Sequence, residues 1–147
     1  MPIAIKRLTK ELSNLMNEDL DDFKILDSND IMNWKASIYG PKNSIFEGGK
    51  YDLEIKFSLE YPTKPPSVKF LTPIFHPNVY KDGRICVDIL QSEWTPSLNV
   101  NSILISLRSL LLDPNNNSPA NRDAANLLRK NPSEYSSKVQ EMISQRA

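Results

Sequence analysis

Near the N-terminus, apolar residues recur at spacings of three and four: Ile5, Leu8, Leu12 and Leu15 or Met16, with Lys6, Lys10 and Glu11 on the other faces. That spacing predicts an amphipathic helix. The pattern fades into an acidic run, Glu18, Asp19, Asp21 and Asp22, and then its period changes to two. Trp34, Ala36 and Ile38 alternate with Lys35, Ser37 and Tyr39; Tyr51, Leu53, Ile55 and Phe57 alternate with Asp52, Glu54, Lys56 and Ser58. Alternation of this kind predicts half-buried strands. Gly40-Pro41-Lys42-Asn43 and Phe46-Glu47-Gly48-Gly49 supply the turn residues between them, and residues 68–71 predict a shorter strand. Strands joined by short turns imply an antiparallel meander.

Proline then breaks the pattern. Tyr61-Pro62, Lys64-Pro65-Pro66, Thr72-Pro73 and His76-Pro77 cannot sit inside central strands or helices. Residues 75–96 therefore read as one long irregular segment, and irregular stretches above about 12–15 residues tend to be functional. Helical periodicity returns with Val100, Ile103, Leu104, Leu107, Leu110 and Leu111, stopped by Asp113-Pro114. Asn121 predicts the cap of a short helix through Arg129, and Pro132 opens a last helix with Tyr135, Val139, Met142 and Ile143 on its apolar side. Helix, strands, irregular loop, helices: this is the order of an α+β domain, and a chain of 147 residues predicts one domain, 1–147.

Composition narrows the chemistry. Eighteen basic and eighteen acidic residues give a formal net charge of zero, which excludes the strong positive field of a nucleic-acid or anionic-membrane binder. One cysteine and one histidine exclude an intrachain disulfide and a multi-cysteine or His-rich metal site. The first residues lack the apolar core of a secretory signal, and no apolar run is long enough to span a bilayer, so a soluble intracellular protein is expected. Both Cys86 and His76 fall in the irregular segment. Taken alone, Cys86 reads either as a small buried hydrophobe among Ile85, Val87, Ile89 and Leu90 or, beside the polar turn Lys81-Asp82-Gly83-Arg84, as an accessible thiol. His76 reads as structural or as a general base, and a Cys–His pair would point to an acyl-transfer hydrolase.

The surrounding motifs point elsewhere. His76-Pro77-Asn78-Val79-Tyr80, Asp82-Gly83, Ile85-Cys86-Val87-Asp88-Ile89-Leu90 and Trp94-Thr95-Pro96 closely resemble the ubiquitin-conjugating enzyme family. The resemblance extends through Tyr39-Gly40-Pro41, Phe46-Glu47-Gly48-Gly49-Lys50-Tyr51, Tyr61-Pro62-Thr63-Lys64-Pro65-Pro66, Asp113-Pro114-Asn115 and Ser118-Pro119-Ala120-Asn121, and so covers essentially the whole chain. It implies an N-terminal helix, a four-stranded antiparallel meander, the active-site loop, a central helix and two C-terminal helices, without targeting extensions.

The resemblance also implies roles. Cys86 would accept ubiquitin as a thioester from an activating enzyme and pass it to a substrate lysine, usually with a ligase. Asn78 would stabilise the oxyanion or hold the loop; Asp88 and Tyr80 would orient the lysine; His76 and Pro77 would brace the loop. Ser118 stands at a gate where many family members carry aspartate, which shifts lysine activation toward Asp88 or the substrate. Arg7, Lys10, Thr63, Pro96 and Ser97 match ligase-binding positions, Thr63 lacking the aromatic group that anchors certain ligases; Ile105 and Ser109 match positions that cradle the carried ubiquitin. No bound cofactor or metal is expected, ATP being used by the activating enzyme. A monomer in the cytoplasm, the nucleus or both is implied, with ubiquitin, the activating enzyme, ligases and protein substrates as partners and neither nucleic acid nor membrane among them. A ubiquitin-like modifier as cargo and a non-catalytic ubiquitin-binding scaffold of the same fold are the alternatives.

Overall fold

The computed structural model describes residues 1–17, 21–117 and 119–146. Glu18, Asp19 and Ser118 lie outside them. Helix α1 (Ile3–Met16) leads into strands β1 (Phe23–Asp30), β2 (Asn33–Tyr39), β3 (Lys50–Lys56) and β4 (Ser67–Phe70). After the irregular segment, with its 3₁₀ turn Asp88–Leu90, come α2 (Val100–Leu112), α3 (Arg122–Lys130) and α4 (Pro132–Arg146).

The four strands form an antiparallel meander in the order β1-β2-β3-β4. Register follows the alternation: Trp34 pairs with Ile55, Ala36 with Leu53 and Ile38 with Tyr51, while Leu53 and Ile55 pair with Phe70 and Val68. These residues are buried on one face, and the stripe Val100, Ile103, Leu104, Leu107 and Leu111 of α2 belongs to the same core. A one-residue slip would turn this whole set to solvent, so the register is strongly fixed.

Two elements depart from the sequence expectations. Strand β1 escapes the alternation because only Phe23 is buried along it. Its register shifts at Asp27, and Asp27 and Asp30 bond the backbone amides of Asn29 and Met32, as turn residues do. On α1 the buried stripe is Ala4, Leu8, Glu11 and Leu15, while Met16 is exposed. Glu11, expected on a solvated face, lies in the interior. Its Oε1 accepts the Val100 amide at 2.8 Å, and its Oε2 accepts the Tyr61 hydroxyl at 2.6 Å and Arg7 Nε at 3.0 Å. One buried carboxylate thus joins α1, the proline-rich loop and the first turn of α2. Burial, reinforced by Glu11, holds the Tyr61 hydroxyl far above its ordinary pKa, so it remains the proton donor.

The N-terminus of α2 is closed by a reciprocal cap: Asn99 Oδ1 accepts the Ser102 amide and the Ser102 hydroxyl accepts the Asn99 amide. Asn121 caps α3 through the Ala124 amide. Among the described residues no helix is long and apolar enough to cross a membrane.

Candidate active site

The irregular segment contains a small β-hairpin. The Cys86 amide donates to the Asn78 carbonyl at 2.9 Å, Val79 bridges Ile85, and the Tyr80 amide donates to the Arg84 carbonyl at 2.8 Å. The Gly83 amide closes the tip on the Tyr80 carbonyl, with Gly83 at φ 97°. A three-residue loop ending in a left-handed glycine is a common hairpin closure, and Asp82-Gly83 is its sequence signal. The Gly83 carbonyl also accepts the Phe70 amide, the same approach that leaves no room for a Cβ against the Phe70 carbonyl. Gly83→Ala combines a disfavoured φ with a backbone clash and is expected to cost about 3 kcal/mol in urea denaturation. A loss below about 0.5 kcal/mol would show that the tip shifts freely.

Alternation along the hairpin buries Val79 and Ile85 and leaves Tyr80 and Arg84 exposed on the other side. Cys86 follows Arg84 by two positions and is partly exposed. The buried-hydrophobe reading of this cysteine therefore fails. Arg84 lies over the Tyr80 ring at 4.8 Å and grips Asp82 at 2.8 Å. Asp88 opens the 3₁₀ turn two residues beyond the thiol; its side chain is exposed and enters no hydrogen bond or ion pair among the described residues.

Three consecutive residues fasten this hairpin to the last turn of α2 and the segment after it. The His76 ring is fully buried, with Nδ1 accepting the Asn78 amide at 3.0 Å and Nε2 facing the Leu110 carbonyl at 2.8 Å. Nε2 must then carry the proton, and neither ring nitrogen is available to a thiol. The Pro77 carbonyl accepts the amides of Ala120 and Asn121 at 2.8 and 2.9 Å. Asn78 exchanges two bonds with the Asn115 backbone: Nδ2 donates to its carbonyl at 2.7 Å and Oδ1 accepts its amide at 2.8 Å. This two-way clasp leaves the Asn78 side chain buried. Asn115, Ala120 and Asn121 are thus tied to the hairpin, while Ser118 lies outside the described residues.

Burial pushes the His76 imidazole down to about 4, against the smaller opposing pull of the Leu110 carbonyl. The native state therefore binds fewer protons than the unfolded chain between pH 6.5 and 4. The His76 contribution is complete above pH 6.5 and declines as pH falls toward 4. At about 1.4 kcal/mol per pH unit it amounts to about 3 kcal/mol over that window. Denaturation curves across this range will show the decline, and His76→Gln will flatten it; an equal slope in both proteins would contradict the assignment.

The other expected positions fall on two surfaces. Arg7 bonds the carbonyls of Pro96 and Leu98 at 3.1 and 2.8 Å as well as Glu11. Trp94 Nε1 reaches the Pro62 carbonyl at 2.9 Å. These bonds join α1, the proline-rich loop and residues 94–98 into one surface, on which Lys10, Thr63, Pro96 and Ser97 are exposed. Arg7 is accordingly a strut of this surface as well as part of it. Ile105, about half exposed at 53%, and Ser109 lie four residues apart on the outer side of α2. The buried role of Glu11 is not expected from the sequence; its signal is a carboxylate at a position in register with Ala4, Leu8 and Leu15. Among the described residues no group of three or more His, Cys, Asp or Glu side chains is placed to hold a metal ion.

Residues 7–143 match the model of the ubiquitin-conjugating enzyme family. The chain is 51% identical over 115 residues to the Caenorhabditis elegans protein named Ubiquitin-conjugating enzyme E2 1, covering 78% of this chain and 60% of that protein. It is 49% identical over 117 residues to Ubiquitin-conjugating enzyme E2 3 of Arabidopsis thaliana, covering 80% of this chain and 78% of that protein. The matched region is thus less than two thirds of the worm protein's length.

Proposed function

The chain belongs to the ubiquitin-conjugating enzyme family, and from that premise we propose that it carries ubiquitin as a thioester on Cys86 and transfers it to a lysine of a protein substrate. The observation that supports this reading best is a partly exposed lone cysteine at the end of a hairpin fastened by three consecutive residues. Such fastening keeps a reacting group in place without a loss of freedom at the moment of reaction.

In the first step Cys86 Sγ attacks the carbonyl of ubiquitin held as a thioester on the activating enzyme, and that enzyme's thiol departs. One thioester replaces another, so the exchange is near balance. In the second, the substrate Nζ attacks the carbonyl, the C–N amide bond forms, the C–S bond breaks, and the proton given up by the amine balances the departing Cys86 thiolate, regenerating the thiol. A free lysine titrates near ~10.4, so its deprotonation is the harder requirement. Asp88, exposed two residues from the sulfur, and Tyr80, on the thiol's side of the hairpin, are placed to orient the incoming amine. The two-way engagement of the Asn78 amide by the Asn115 backbone favours loop bracing over direct oxyanion donation, and the doubly bonded His76 favours bracing over base catalysis. No bound cofactor enters the scheme.

Lys10, Thr63, Pro96 and Ser97 form the ligase-facing surface in this reading, with Arg7 holding its parts in register. Ile105 and Ser109 present a mixed apolar and hydroxyl strip to the carried ubiquitin. The test is a single round of transfer. Protein charged with ubiquitin, then cut off from ATP, is mixed with free lysine; growth of ubiquitin–lysine amide as the thioester decays supports the proposal. Decay to free ubiquitin alone, at a rate independent of lysine, contradicts it. Charging by a ubiquitin-like protein in place of ubiquitin would redirect the proposal to that cargo.

A further inference from the structure

Two clefts meet at the tip of the hairpin. The first, of ≈ 450 Å³, runs between Tyr80, Arg84 and the start of α3 at Arg122 and Asp123. The second, of ≈ 360 Å³, has an apolar floor of Phe70, Ile74, Phe75 and Val79, with Lys138 of α4 at its edge. Tyr80, Lys81, Asp82, Asn121 and Asp123 line both, so the clefts adjoin at the tip and are treated together as one groove. Its Tyr80–Arg84 wall lies one side-chain repeat, about 7 Å along the strand, from Cys86. Cys86 itself lines neither cleft, but an extended polypeptide leaving it on that side passes the first cleft's Tyr80–Arg84 wall.

The groove is also charged. Lys81, Arg84, Arg122 and Lys138 stand against Asp82 and Asp123, four positive charges to two negative. Arg84 occupies Asp82 at 2.8 Å, and Lys81 faces Asp123 at 3.8 Å. Arg122 and Lys138 have no carboxylate partner among the described residues. Lys138 sits 4.2 Å above the Phe75 ring, so a cation lies next to the apolar floor. An extended chain with an apolar side chain and a neighbouring acid matches both features. An anionic polymer or membrane matches the rim but leaves the floor empty, and the chain's zero formal net charge gives neither any long-range attraction.

We propose that this groove receives the substrate segment beside the target lysine, seating an apolar side chain on the Phe70–Phe75 floor and acidic side chains at Arg122 and Lys138. The inference rests on Cys86 being the ubiquitin carrier. The groove then acts on substrate choice, while discharge to free lysine proceeds without it.

Protein charged with ubiquitin is mixed with free lysine or with one of two peptides, each holding a single lysine between leucines; one peptide carries glutamates and the other arginines. The acidic peptide is expected to be modified about five- to tenfold faster, since each exposed ion pair contributes up to about a fivefold effect. In Arg122→Glu/Lys138→Glu the order reverses, while discharge to free lysine is unchanged. The milder Arg122→Gln/Lys138→Gln protein narrows the preference without reversing it. Equal rates for both peptides, or a preference that survives both variants, would overturn the groove assignment and leave the carrier reading standing on the free-lysine rate. Failure of the parent protein to take up ubiquitin would overturn both.

Discussion

An Asn78→Ala protein will take up ubiquitin at close to the parent rate but discharge it to lysine about a hundredfold more slowly. Uptake exchanges one thioester for another and asks little of the loop. In the proposed mechanism amine attack needs the hairpin held firmly against the chain that follows α2, and Asn78 makes two of the bonds that join them. Each bond contributes about 1 kcal/mol net, and the substitution also leaves the Asn115 amide and carbonyl without their partner. Together these amount to about 2–3 kcal/mol. At about 1.4 kcal/mol per tenfold, that sum reaches about a hundredfold if it is expressed wholly in the transition state. A bracing residue also supports the ground state, so the melting temperature will fall in the same variant. Equal discharge by variant and parent would remove Asn78 from the mechanism; slow discharge at an unchanged melting temperature would return it to the oxyanion role.

Glu11→Ala will lower stability by about 3–5 kcal/mol, the usual cost of removing one partner from a buried charged network. Three donors lose their acceptor at once: the Tyr61 hydroxyl, the Val100 amide and Arg7 Nε. Tyr61 is almost wholly buried, so its hydroxyl has no water to turn to. Arg7 keeps its bonds to the Pro96 and Leu98 carbonyls but loses the carboxylate that fixes its orientation, and the 94–98 surface loosens with it. Glu11→Gln preserves the shape and one good acceptor, and is expected to cost about half as much. Guanidinium denaturation measures both. A loss below about 1 kcal/mol in Glu11→Ala would mean that the network contributes little beyond what water supplies.

The sequence disclosed the parts of the fold whose burial is one-sided and regular. Strands β2 and β3 alternate because one face packs on the core, and α2 carries its stripe because it crosses that same core. Strand β1 was illegible: its hydrogen bonds to β2 leave most of its side chains in water, so hydropathy carries no period there. Glu11 was illegible for the opposite reason. Its position fits the buried stripe, but its charge argues for solvent, and the three donors that make burial tolerable come from residues 4, 50 and 89 positions away. At the site, motif resemblance named Cys86, Asn78 and His76, and the Asp82-Gly83 pair carried the signal for the hairpin. The clasp between Asn78 and the Asn115 backbone had no signal at all, because one partner is main chain and any residue supplies it.

The intact mass of the protein, after incubation with activating enzyme, ATP and ubiquitin, tests most directly whether Cys86 is the carrier. The account predicts a gain equal to one ubiquitin less one water, released by a thiol reductant and mapped to the peptide containing Cys86. In Cys86→Ser the reductant-sensitive species is absent, and any adduct is an ester that survives the reductant. A reductant-sensitive adduct persisting in that variant, or an unchanged mass in the parent protein, would contradict the account.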